Sequence, residues 1–130
     1  MDLPSKERTF EFDHTGTDSG KKYDGRFTVL CSLNVGQKHS MALEKTRLLG
    51  NYPNPTGELN GFAEVLANLR AKIVDGPNWW KQSNGGLLID DEDAVVVLYN
   101  KLDEAEKAWR EELKKKAEEA QAQNSQSSTP

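Results

Sequence analysis

One cysteine, two histidines and no apolar run approaching the roughly 18 residues of a membrane span are what this 130-residue chain has least of, and each scarcity excludes something. A lone Cys31 forms no intrachain disulfide, which suits a reducing compartment, and on the apolar side of its segment it reads as a buried small hydrophobe, not a nucleophile. His14 and His39 stand at no spacing that makes a metal or base motif, so both read as surface residues. The opening residues MDLPSKERTF lack a hydrophobic signal core, which with the missing span points to a soluble chain with no membrane contact. A net charge of −4 argues against direct nucleic-acid binding, whose affinity would come from a basic face. The one basic run, Lys114, Lys115 and Lys116, is answered by Glu111, Glu112, Glu118 and Glu119 at helical spacing and reads as a solvated face.

Catalytic and cofactor motifs are missing too. Asp90, Asp91, Glu92 and Asp93 are consecutive acids, and consecutive residues of a helix point in different directions, so they read as helix-capping residues and not as a cation site. Asp13, Thr15 and Thr17 alternate oxygens, but Thr17 and Asp18 stand where a calcium loop needs an acid and a glycine. Gly85 and Gly86 lack the lysine and hydroxyl of a phosphate loop. The expectation is a protein with no enzymatic activity, no metal and no cofactor.

What is present is a long amphipathic helix. Asp90 serves as its N-cap, with Asp93 in the capping-box position. Val95, Leu98, Leu102, Ala105, Trp109 and Leu113 then recur every three or four residues and lay one apolar stripe along one face. Beyond Leu113 nothing remains to bury, so residues 114–120 read as a solvated helix end and 121–130 as a disordered polar tail. Residues 1–7 form an N-terminal arm, and 8–113 a single α+β domain in which a β-hairpin packs on about three helices.

Phe10 and Phe12 alternate with acids, and Tyr23, Phe27, Val29, Cys31 and Leu33 alternate with mostly polar residues, which predicts a hairpin over residues 8–32 joined by a mobile loop, HTGTDSGKK. Two strands alone are marginal in water, so their aromatics require helices, or a strand from another copy of the chain. Asn34 caps a helix through Met41, Ala42 and Leu48 or Leu49 that Gly50 ends. After the extended NYPNPTG, Thr56 caps a second helix with Leu59 as its first core residue, followed by Phe62, Leu66, Leu69 and Ile73, and Asp75, Gly76 and Pro77 stop it. The predicted core is Phe10, Phe12, Phe27, Val29, Phe62, Leu66, Leu69, Ile73, Leu98, Leu102 and Trp109.

Trp79 and Trp80 lie in a loop that continues to Leu87 and Leu88. Adjacent loop residues do not easily face the same interior, so one indole plugs the core and the other is left partly exposed. These four residues are the candidate protein-interaction site.

The hairpin with Tyr23, Gly25 and Phe27, the Asp75-Gly76-Pro77 stop, the Trp79-Trp80 pair and an acidic start to a last helix carrying Leu98 and Tyr99 resemble, in layout, small structural-module proteins of tailed bacteriophages, most of all the tail assembly chaperones. The resemblance runs over roughly residues 8–113. It implies a non-enzymatic, self-associating protein that binds tape-measure and tube proteins in the host cytoplasm. A neck, decoration or tail accessory protein of the virion shares the layout. A small acidic regulatory or inhibitor protein is the reading from a different class.

Overall fold

The computed structural model describes residues 3–50 and 54–127, with side chains described through residue 122. The elements are β1 (Glu7–Thr15), β2 (Lys22–Leu30), α1 (Val35–Leu49), α2 (Gly57–Lys72), β3 (Ile73–Asp75), the one-turn α3 (Asn78–Lys81) and α4 (Glu92–Ser127). This is an α+β fold, as the periodicities predict. Part of the extended connection expected over residues 51–57 lies outside the described residues, as do residues 128–130 of the expected tail.

β1 and β2 pair antiparallel in one unbroken register, Glu7 opposite Leu30 through Thr15 opposite Lys22. Phe10, Phe12, Tyr23, Phe27 and Val29 consequently share one face, and that face packs on α2 and α4. The opposite face carries Glu7, Thr9, Glu11 and Asp13 beside Lys22, Asp24 and Arg26, all exposed.

The third strand comes from the chain itself. α2 stops at Lys72, one turn short of the expected Asp75-Gly76-Pro77 stop, and Ile73 to Asp75 pair with β2 at Val29 and Thr28 across a register irregularity. Consecutive β-branched Ile73 and Val74 favour the extended backbone, and the edge of β2 offers ladder partners that a further helical turn would forgo. Ile73 therefore packs against the core from a strand.

The core gathers Phe12, Phe27 and Val29 of the sheet, Ala63, Leu66 and Leu69 of α2, and Ala94, Val95, Leu98 and Leu102 of α4 around Trp80. Phe10 and Phe62 are half-buried against it. Leu59, expected as the first core residue of α2, is exposed instead, and the buried residues of the helix begin one turn later at Ala63. Trp109 is half-buried and lies outside the main cluster, its indole N–H reaching the Pro4 carbonyl at 3.4 Å. Cys31 is buried, with its thiol 3.6 Å from the Ala105 carbonyl. Lys72 and Glu106, nearly buried, join the end of α2 to the middle of α4 as an ion pair.

α4 is longer than expected and continues as helix to Ser127, into residues whose composition predicts disorder. Its stripe thins outward, with Val95, Leu98 and Leu102 buried and Ala105, Trp109 and Leu113 only half-buried.

Candidate functional site

Of the tryptophan pair one indole is buried and the other half-buried, the division the sequence predicts, but the half-buried ring is seated on the sheet. Trp79 and Trp80 lie on one turn of helix, where adjacent side chains diverge by about 100° and both find apolar seats. Trp80 is 8% exposed and packs edge-on against Phe27 at 6.2 Å. Trp79 is half-buried and lies on the sheet, 5.1 Å from the ring of Tyr23, 5.6 Å from Phe27 and 5.9 Å from Phe12, with its indole N–H donating to the Asp24 carbonyl at 2.8 Å. Room for α3 exists because residue 25 is glycine, with φ at +146°, and a Cβ there would stand 2.7 Å from Pro77. The pair anchors the loop from Asp75 to Asp90 to the domain. Of the four candidate interaction residues, only Leu87 and Leu88 are left outward, at 47% and 67% exposure.

α1 adds to that outward apolar surface. Asn34 closes a full capping box with Gln37, and Gly50 ends the helix with φ at +65°. Yet none of its residues is buried. Met41, Glu44, Lys45 and Leu48 face α2, while Val35, His39, Ala42, Leu43 and Thr46 fall within an arc of about 100° on the far side and are all exposed. Val35 is 84% exposed and Leu43 58%.

Polar tethers hold α1 in place. Glu44 bonds the Arg70 and Arg47 guanidiniums, and Lys45 reaches Glu64 at 2.9 Å. Arg47 first, then Arg70 against the cost of burial, hold the Glu44 carboxyl down at about 2. Arg70 also donates to the carbonyls of Asn84 at 2.7 Å and Gly85 at 3.3 Å, which joins α1 to the loop carrying Leu87 and Leu88. A groove of about 620 Å³ floored by Ser40, Met41, Ala67 and Ala71 runs between α1 and α2.

The acidic quartet does something its spacing alone did not reveal. α4 starts at Glu92, and Asp91 turns its fully buried carboxylate away from the helix, toward the hairpin loop. It accepts from the backbone N–H of Asp18 at 2.8 Å and Ser19 at 2.9 Å, from the Ser19 hydroxyl, and from the Tyr23 phenol at 2.6 Å. The Ser19 and Tyr23 hydroxyls, followed by the two backbone donors, hold Asp91 far below the usual carboxylate range despite its burial. Burial and then this bond to Asp91 push the Tyr23 phenol up. Asp93 takes His14 Nε2 at 2.5 Å and the Thr17 hydroxyl at 2.9 Å, and His14 is the main cause of its lowered pKa. Asp90 pairs with Lys21.

Three expectations are corrected here. The loop of residues 16–21 is pinned at several points where mobility was expected, and His14 is half-buried and hydrogen-bonded to Asp93 where a free surface role was expected. The side chains of Asp90 and Asp93, expected to cap the helix, instead bond the hairpin, Asp90 to Lys21 and Asp93 to His14 and Thr17, because the packed hairpin loop brings those donors beside them. A sequence signal was available in part: Gly16 precedes a Ser- and Asp-rich turn, and such turns present clustered backbone donors. Its partner, some seventy residues on, had none.

Among the described residues no group of three His, Cys, Asp or Glu gathers as a metal site, and no helix is long and apolar enough to cross a membrane. No family model, curated protein or solved structure matches the chain.

Proposed function

We propose that this chain is a protein-binding assembly factor that works without catalysis, in the manner of the tail assembly chaperones of tailed bacteriophages, and that it acts in the host cytoplasm on tape-measure and tube proteins. The observation that supports the reading best is α1: a capped, tethered helix of 15 residues that contributes no buried residue and turns Val35, Ala42 and Leu43 to the outside. An isolated helix of this length is marginal in water, so a helix that the domain holds folded with no residue fully buried leaves its far side as presented surface. Leu87 and Leu88 extend that surface beyond Arg70.

Co-expression of the chain with a phage tape-measure protein is the test. The wild-type chain is expected to keep the tape-measure protein soluble. The double variant Val35→Glu, Leu43→Glu is expected to lose that ability with an unchanged melting temperature, since neither side chain belongs to the core. Retained solubilisation by the folded double variant overturns the reading. Salt separates the acidic-inhibitor reading, because an apolar contact survives a rise from about 0.1 M to about 1 M whereas a contact built on carboxylates is screened. The same surface, doubled, would serve self-association, which light scattering at high concentration measures. A virion component stays the near alternative and would be found in purified particles.

A further inference from the structure

The sheet has strand order β1-β2-β3, so β1 is an edge strand. Which backbone groups of β1 are free follows from the ladder. Gly16 N–H donates to the Lys21 carbonyl and Cys31 N–H to the Lys6 carbonyl, and the pairs between them keep one register. Even-numbered residues of β1 therefore exchange bonds with β2, while Thr9, Glu11 and Asp13 direct N–H and C=O to the open side. A cleft of about 340 Å³ lies between this strand and α4, floored by Phe10, Ala105, Ala108 and Trp109, with Arg8, Lys101 and Glu104 among its lining.

We propose that this edge and its cleft dock an extended segment of a partner protein as an added strand, whose side chains alternate between apolar residues turned into the cleft and lysine or arginine on the solvent face. The inference rests on the reading of the chain as a protein-binding factor and names a second contact site for it. An added strand projects every second side chain toward α4, where the residue opposite Phe10 meets Ala108 and Trp109, and sends the others to the face that bears Glu7, Glu11 and Asp13. Charge selects the occupant. β1 brings only carboxylates and threonines to that face, and the pairs that Glu11 and Asp13 make with Arg26 and Lys22 are too exposed to neutralise it strongly.

A second copy is disfavoured by the same residues. In a two-fold antiparallel pairing through the free groups, Glu11 falls opposite itself when the strand centres coincide. Shifted registers set Glu7 against Asp13 or Glu11, Glu11 against Asp13, or Asp13 against itself. The edge is built to refuse its own kind and to accept a basic strand.

The test uses the full chain and a short peptide alternating valine and lysine, followed by amide NMR. The expected result is shifted and exchange-protected amides at Thr9, Glu11 and Asp13, a shifted Trp109 indole N–H, and an unmoved α1. A valine–glutamate peptide is expected to bind roughly tenfold or more weakly. Thr9→Pro removes one outward N–H and leaves the β1–β2 ladder intact, so binding is expected to fall roughly tenfold with unchanged melting. Ala108→Glu, at an exposed helical position, is a second variant with the same expected loss. Absence of shifts along β1 at millimolar peptide, equal binding of the acidic peptide, or full binding by both variants overturns the inference. Such a failure leaves the protein-binding reading standing if Val35→Glu, Leu43→Glu still abolishes solubilisation of the tape-measure protein. Retained solubilisation by that double variant removes the reading itself, whatever the peptide does.

Discussion

Gly16 has no side chain, and Asp91 occupies the place where one would be: a Cβ at residue 16 would stand 2.1 Å from the Asp91 carboxyl carbon. Gly16→Ala should force the loop off the carboxylate and leave buried donors unpaired, lowering the melting temperature by roughly 10 °C. Asp91→Asn keeps the shape and removes the charge, so hydrogen exchange at the Asp18 and Ser19 amides should accelerate. The pH dependence has a definite sign. Asp91, Asp93 and Glu44 all have folded pKa values below their ordinary ones, so their contribution to stability is complete above about pH 5 and is lost as pH falls through the depressed values. Urea melts between about pH 2 and pH 6 should show that acid limb, and Asp91→Asn should flatten it. An unchanged limb in the variant would remove Asp91 as its source.

The loop anchor on α3 and the two core helices can be tested as elements. Trp80→Ala should cost about 3 to 5 kcal/mol and Leu66→Ala about 2 to 5 kcal/mol, since both side chains are sealed in the core. Trp79→Ala should cost less than Trp80→Ala, because Trp79 is only half-buried. Neither tryptophan variant should change the elution volume in size exclusion while it remains folded. A shift in oligomeric state without loss of stability would restore the indoles as a contact surface. The extent to which elements were legible follows a physical divide. The caps at Asn34, Thr56 and Gly50 stand where the sequence predicts them, because capping is settled within one helical turn. The end of α2 differs from the pattern in the sequence because residues 73–75 pair with a strand more than forty residues earlier. α3 is not legible in the sequence because a single turn carries no periodicity to detect.

At the scale of the whole molecule, a sheet is covered on one face by α2 and α4, α1 lies outside, and a helix runs on past the body. Truncation after residue 113 should leave the melting temperature within about 2 °C of the full chain, because the side chains described beyond it are exposed or only half-buried and lie outside the core cluster. A larger loss would mean that the outer part of α4 folds back on the domain or on a second copy. By itself the sequence determined the α+β class, the hairpin, the three main helices and most of the core, since each depends on a short-range pattern of two or 3.6 residues. Only the tertiary structure decided that Asp91 and Asp93 pin the hairpin loop, that a third strand comes from the same chain, that Trp79 is seated on the sheet, and that a cleft follows the edge of β1. Each of these joins residues distant along the chain, and no local pattern states which of several buried donors a carboxylate will meet once the helices have packed.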